Sequence, residues 1–242
     1  MNLIVDVGNT FVKFAIYKDA DLIHKISFEL SEFKKHYKSL KKEFPKVNSA
    51  IISSVGTLSK KQIELIDNDL NLIVLNSDIK LPFKNRYKTP KTLGVDRIAL
   101  VSASVNQFPD KNVLIIDAGT CITYDFITDE NDYLGGAISP GIRLRYKSLN
   151  NLTANLPLLE TNQPKSIIGN STESSIHSGV IFGVIKEIDG IVDQYQLKYP
   201  GLTIILTGGD AKFLSNQLKN SIFANSNFLL GGLNFILDYN SK

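Results

Sequence analysis

A stretch near the start of the chain, LIVDVGNTFVKFAIYKDADLI from Leu3, recurs as LIIDAGTCITYDFITDENDYL from Leu114. Aligned without a gap, Leu3 falls on Leu114, Asp6 on Asp117, Gly8 on Gly119 and Asp19 on Glu130, an offset of 111 residues in a chain of 242. Each copy is a short apolar run that takes in an acid, then a glycine-containing polar turn, then a second apolar strand. A single strand-turn-strand recurs easily by chance. The same acid-x-glycine-polar punctuation in both copies is a more demanding coincidence. It predicts an internal duplication, two α/β lobes facing each other, divided as residues 1–110 and 111–242.

The rest of the chain fits that division. In the first half, Phe33, Tyr37, Leu40 and Phe44 fall on one helical face over Ser31 to Phe44, with Lys34, Lys35, Lys38, Lys41 and Lys42 mostly elsewhere. That spacing predicts a solvated lysine face rather than a binding patch. Ala50–Val55 and Leu72–Leu75 read as strands, Ser59–Asn68 and Val95–Gln107 as helices. In the second half, Tyr133–Ser139 completes the repeat, and helices are expected over 141–150, 172–199, 211–218 and 230–237. Leu202–Leu206 reads as a strand running into Thr207-Gly208-Gly209, with a short strand near Ile222.

Composition excludes several function classes. Hydrophobic residues make up 43% and charged residues 21%, enough to bury a core, and a net charge of +3 is too small to argue for nucleic acid. One cysteine forms no internal disulfide and no multi-cysteine zinc site, and three scattered histidines offer no HExxH. No Gly-Lys, G-x-G or G-x-S-x-G occurs, which removes the Walker A loop, the common dinucleotide fingerprint and the nucleophile elbow. The N-terminus MNLIVDVGNT has no basic leader and no long apolar run. The expectation is a cytoplasmic protein without membrane or nucleic-acid partners.

The informative pair is Asp6 and Asp117. Each is an ionisable group in an otherwise apolar strand, where burial without a partner is expensive, and each has glycine two positions on, which lets a turn approach a ligand. Such a turn offers N–H groups and hydroxyls to phosphate oxygens, while carboxylates hold cations. Thr207-Gly208-Gly209, Gly135-Gly136 and Pro140-Gly141 are each explained as well by simple turns. Cys121 reads as a small core residue and His177 as packing or solvated.

Taken together, DVGNT at Asp6–Thr10, GVDR at Gly94–Arg97, DAGTCIT at Asp117–Thr123, LGGAISPG at Leu134–Gly141 and TGG at Thr207–Gly209 resemble type III pantothenate kinase. That family belongs to the acetate and sugar kinase, actin-like superfamily. The resemblance implies duplicated actin-like (ribonuclease H-like) α/β lobes with a nucleotide cleft between them. The first lobe would carry the first phosphate loop and substrate turn, the second the second phosphate loop and nucleoside turn. It implies ATP-dependent phosphorylation of pantothenate at its primary hydroxyl, the first step toward coenzyme A, with Mg²⁺ and a monovalent cation, K⁺ or NH₄⁺.

By position, Asp6, Val7, Gly8, Asn9, Thr10, Phe11, Val12 and Lys13 match the ATP loop, with Asp6 also reaching Mg²⁺ through water. Asp96 matches the general base. Gly94, Val95, Asp96 and Arg97 match the pantothenate-binding turn, and Tyr87 the substrate-contacting tyrosine. Asp117 matches the monovalent-cation ligand, Thr120 an ATP contact and Thr172 a substrate contact. Before Thr172 the family usually has Asn, where this chain has Ser171. The family forms homodimers, and residues 172–199, apolar on more than one face, would supply the interface. Two other readings are another small-molecule kinase of the superfamily and a non-catalytic regulatory relative. Against the first stand the short chain and the missing CxCGxxGC zinc motif of one sugar-kinase group. Against the second stand the intact Asp6, Asp96, Arg97 and Asp117.

Overall fold

A computed structural model describes residues 1–8, 11–54, 58–220 and 222–241. The chain divides into two compact units, Met1–Pro109 with Asn131–Tyr133 and Asn227–Lys242, and Asp110–Glu130 with Leu134–Ser226.

The first unit opens with the strands β1 (Asn2–Val7), β2 (Val12–Lys18) and β3 (Asp21–Phe28), antiparallel neighbours. Then come α1 (Phe33–Glu43), β4 (Ser49–Ser54), α2 (Lys60–Asp67), β5 (Asn71–Val74), the two-residue β6 (Lys84–Asn85) and α3 (Val95–Gln107). The sheet order is β3-β2-β1-β4-β5, with β4 parallel to β1 and β5 parallel to β4. Central β1 is covered on both faces, which is why it reads as an unbroken apolar run around Asp6. Edge strand β3 alternates half-buried and exposed positions instead. Helix α1 buries Phe33, Tyr37 and Leu40 and turns Lys34, Lys35, Lys38 and Lys42 outward, as its period predicts, while Lys41 is half-buried. Helix α2 begins at a capping box in which Ser59 and Gln62 satisfy each other's backbone N–H groups.

The second unit repeats this plan. It contains β7 (Val113–Ala118), β8 (Cys121–Ile127), β9 (Asp132–Pro140), α4 (Ile142–Asn151), α5 (Thr172–Lys198), β10 (Thr203–Thr207), α6 (Ala211–Ser215) and β11 (Phe223–Ala224). Its strands run in the order β11-β10-β7-β8-β9. Read from the other side, that is the order of the first sheet, strand for strand, so the duplication extends from one hairpin to a whole five-stranded topology. At the start of β9, Asp132 and Tyr133 also pair with β6. Helix α5 ends before Pro200 and Gly201, whose φ of +77° suits a helix stop.

Each unit has its own core, one built on Leu3, Val5, Phe14 and Ile52, the other on Leu114, Ile116, Tyr124 and Leu206. The final helix, α7 (Phe228–Asn240), lies against α3, β1 and β4 and completes the first unit. In α5, Ile176, Val180, Ile181, Val184, Ile185, Ile188 and Val192 are all buried within the chain. Phe182 and Ile191 are partly buried against the same core, so most of the apolar surface of α5 is covered within its own unit.

Candidate active site

In the first unit, β1 sends Leu3, Val5 and Val7 into the core, so Asp6 lies on the opposite face of the sheet. The side chains of Val7 and Val12 are core, and only their backbone is left to reach a ligand. Gly8 N–H donates to the Phe11 carbonyl at 3.0 Å and closes the turn, leaving the Phe11 ring half exposed. Asn9 and Thr10 lie outside the described residues. Asp6 is 7% exposed, and Lys13, its cross-strand partner, donates to it at 3.1 Å. Burial pushes the Asp6 carboxyl up, Lys13 pulls it back only in part, and the charge of Asp96 adds to the rise. Two acids at some distance in sequence therefore feel each other in one unit.

Asp96 sits in the first turn of α3, behind the N-cap Gly94, where the positive end of the helix favours a carboxylate. It accepts a hydrogen bond from Arg97 N–H at 2.8 Å. A Cβ on Gly94 would run into Asp96 Oδ1, so glycine is what lets the carboxylate fold back over the helix end. Val95 is half-buried in the same turn. Arg97 is 5% exposed, and its guanidinium lies 5.5 Å from the Tyr87 ring centroid. Tyr87 in turn stacks on Tyr133 at 6.1 Å, and its N–H donates to Asn85 Oδ1 at 3.0 Å. Tyr87 and the GVDR turn are thus brought together.

Sequence reasoning missed one residue of this unit. Ser53 on β4 pairs in register with Asp6, is 1% exposed, and its hydroxyl finds no hydrogen-bond partner among the described residues. The register puts Lys13, Asp6 and Ser53 in a row across three strands. In SAIISS it reads as an ordinary strand serine, and only the pairing reveals its place.

In the second unit, three glycine motifs far apart in sequence converge on the β7–β8 turn. Gly119 N–H donates to the Cys121 carbonyl at 2.9 Å, Gly141 N–H to the Thr120 carbonyl at 3.0 Å, and Asp210 N–H to the Ala118 carbonyl at 2.9 Å. A Cβ on Gly141 would collide with the Gly119 and Thr120 carbonyls. Gly208 adopts a φ of +93°, and a Cβ there would meet both the Ala118 carbonyl and Asp117 Oδ1. Pro140-Gly141 and Thr207-Gly208-Gly209 are therefore more than turn punctuation. Gly135-Gly136 is different, since Gly136 packs on the Tyr124 carbonyl within the sheet.

Thr120 is exposed at the tip of this turn. Thr172 opens α5 and lines a cavity of about 870 Å³ together with Arg145, Leu149, Leu156 and Ile176. Ser171 is the N-cap of α5, its hydroxyl accepting from Ser174 N–H in a capping box. Serine and asparagine cap about equally well, so Ser171 is a competent cap at the position where the family usually has Asn. His177 pairs with the Tyr146 hydroxyl at 2.8 Å, and Cys121 is half-buried in β8, structural positions both.

The donor sets fit cations of the hard class. Asp6 is a buried carboxylate whose charge is poorly compensated by Lys13 alone, which suits a nearby Mg²⁺. Asp117 Oδ1 and the Ala118 carbonyl both lie against Gly208, an all-oxygen pair suited to K⁺ or NH₄⁺. Among the described residues there is no cluster of three or more His, Cys, Asp or Glu able to cage a metal. No helix there is long and apolar enough to cross a membrane.

Comparison with known proteins agrees with this geometry. A family model described as type III pantothenate kinase matches residues 2–194. The type III pantothenate kinase of Christiangramia forsetii is 53% identical over 240 residues, 99% of this chain and 99% of that protein. Among solved structures, a conserved putative Baf family transcriptional activator from Campylobacter jejuni superposes with a TM-score of 0.65 at 23% identity, over 99% of this chain and 98% of that one. A glucokinase from an Antarctic psychrotroph superposes with a TM-score of 0.56 at 13% identity, covering 98% of each chain. At those identities the structural matches speak for the fold alone, an actin-like sugar-kinase fold.

Proposed function

We propose a division of labour among the site residues of this chain, which belongs to the type III pantothenate kinase family and phosphorylates pantothenate with ATP. The primary hydroxyl oxygen of pantothenate attacks the γ-phosphorus, the bond to the β–γ bridging oxygen breaks, and ADP leaves. Asp96 holds the hydroxyl in line and accepts its proton. The transition state of phosphoryl transfer spreads charge over the equatorial oxygens, so the rest of the site positions and neutralises. Gly8 to Lys13 and the Gly119–Thr120 turn offer backbone N–H groups, hydroxyls and the Lys13 ammonium to the phosphates. Bound Mg²⁺ near Asp6 and a monovalent cation at Asp117 would supply fixed positive charge against those oxygens. Arg97, steadied by the Tyr87 ring, pairs with the carboxylate of pantothenate, for which a planar fork is suited, and Thr172 contacts the same substrate.

The observation that carries the assignment is the placement of Asp96, hydrogen-bonded at the α3 N-terminus beside Arg97. Asp96→Asn keeps ATP binding and lowers turnover by about 10²-fold or more, the scale of a lost positioned base. Near-normal turnover in the purified variant removes Asp96 from that role. Run against pantothenate, a panel of sugars and acetate, the same ATP-consumption assay responds to pantothenate.

The same reading includes a cytoplasmic homodimer. With most of the apolar surface of α5 covered by its own unit, support for the dimer passes to the segment that carries Leu152, Leu158, Ile167 and Ile168, between 53% and 83% exposed. Light scattering at low micromolar concentration gives twice the chain mass, and a fully active monomer contradicts it.

A further inference from the structure

The Gly119–Thr120 turn is braced from outside by a charged network that no motif points to. Arg145 on α4 donates from Nε to the Pro140 carbonyl at 2.9 Å and from a terminal nitrogen to Ser139 Oγ at 2.9 Å. The same nitrogen pairs with the Glu187 carboxylate on α5. Glu187 also accepts from the Tyr124 hydroxyl at 3.0 Å, and Tyr124 is a fully buried residue of β8. One guanidinium therefore ties β9 to α5, and through Tyr124 to β8, immediately before Gly141. Gly141 is the residue whose N–H holds the Thr120 carbonyl and whose Cα lies against Gly119.

Stability is a poor reason for this pair. About a quarter of each side chain is exposed, and a half-buried ion pair gains little over an apolar pair of the same shape once desolvation is counted. What it adds is geometry, because a planar fork holds three acceptors in fixed relation where an ammonium cannot. Burial works against a charged Glu187, yet donors from Arg145, Ser139 and Tyr124 outweigh it and hold its carboxyl below the usual range.

We propose that Arg145 is a positioning residue for the nucleotide: by bracing Ser139 and Pro140 it sets Gly141, and with it the Gly119–Thr120 turn, at the height the ATP phosphates require. The inference rests on the reading that Thr120 contacts ATP.

Steady-state kinetics on the whole chain test it. Arg145→Lys keeps the charge pair with Glu187 and loses the fork. It raises KM for ATP about tenfold, leaves KM for pantothenate within about twofold, and leaves the thermal midpoint within about 2 °C. Ser139→Ala, which removes only the hydroxyl that bridges Arg145 and Glu187 and leaves the core intact, raises KM for ATP by about two- to threefold, and reads the same claim should the lysine variant fail to fold. Because Arg145 acts through the turn, Arg145→Lys adds less than about twofold on top of Thr120→Ala, whereas independent sites multiply. An unchanged KM for ATP in Arg145→Lys, with Thr120→Ala raising it, overturns the inference and spares the assignment of Thr120. A parallel loss for both substrates with a lowered thermal midpoint, or full multiplication in the double variant, also overturns it. An unchanged KM for ATP in Thr120→Ala overturns both.

Discussion

The two copies of the repeat place their acids at the same point of the same sheet topology, yet differ in what stands opposite. Across from Asp6 is Lys13, ion-paired at 3.1 Å; across from Asp117 is Thr123. The cause is one residue. Val7 pairs with Val12, leaving four residues in the turn, whereas Ala118 pairs with Ile122, leaving three. The ungapped alignment that reveals the duplication therefore holds only as far as the turn. Beyond it Lys13 occupies the place of Thr123 rather than of Tyr124. The shorter turn is walled by backbone instead, with Gly141 and Gly208 pressed against its carbonyls. On the proposed reading the first copy sets Lys13 and a nearby Mg²⁺ against its acid, and the second would offer the Asp117 carboxylate and backbone oxygens to a monovalent cation.

The largest effect that tests the comparison comes from the first acid. Asp6→Asn lowers kcat/KM by about 10²- to 10³-fold, the scale of losing an electrostatic anchor for phosphoryl transfer. The same change raises the thermal midpoint of the protein without nucleotide by about 2–4 °C, since a buried carboxylate is a strained functional group. The sign with pH follows from the raised carboxyl. Above the ordinary aspartate value of 3.8 and up to the raised native one, the folded protein keeps a proton that the unfolded chain has lost. Stability conferred by the wild-type residue thus falls as pH rises through that window, and is unaffected below it. The gap in midpoint between Asp6→Asn and wild type widens across the same window; a constant gap would show that Asp6 is not the titrating group.

A smaller effect belongs to its partner. Lys13→Met raises KM for ATP by about tenfold and leaves KM for pantothenate unchanged, because a single charge-assisted contact to phosphate is lost. Equal shifts in both constants would mean that Lys13 only holds the hairpin together.

Much of this was open to sequence reasoning because the features are local. Asp6 and Asp117 stand out as acids in apolar strands, and the periods of α1 and α3 mark their helices. What was hidden depends on pairing over long distance. Ser53 is chemically ordinary until β4 is set beside β1. Gly141 and Gly208 look like turn residues until both are found against the Asp117 turn. The period of α7 predicts a helix but not its return to the first unit, because amphipathicity names a buried face and not the partner that buries it. The apolar stripes of α5 suggested a second copy, and the core of its own unit takes most of them.

The asymmetry between the two turns is tested most directly by initial rates in K⁺ and in Na⁺ at matched ionic strength, for wild type and Asp117→Asn. The account predicts a wild-type rate that is high in K⁺ or NH₄⁺ and collapses in Na⁺ alone, with a weakened response in Asp117→Asn. Equal wild-type rates in K⁺ and Na⁺ would contradict it.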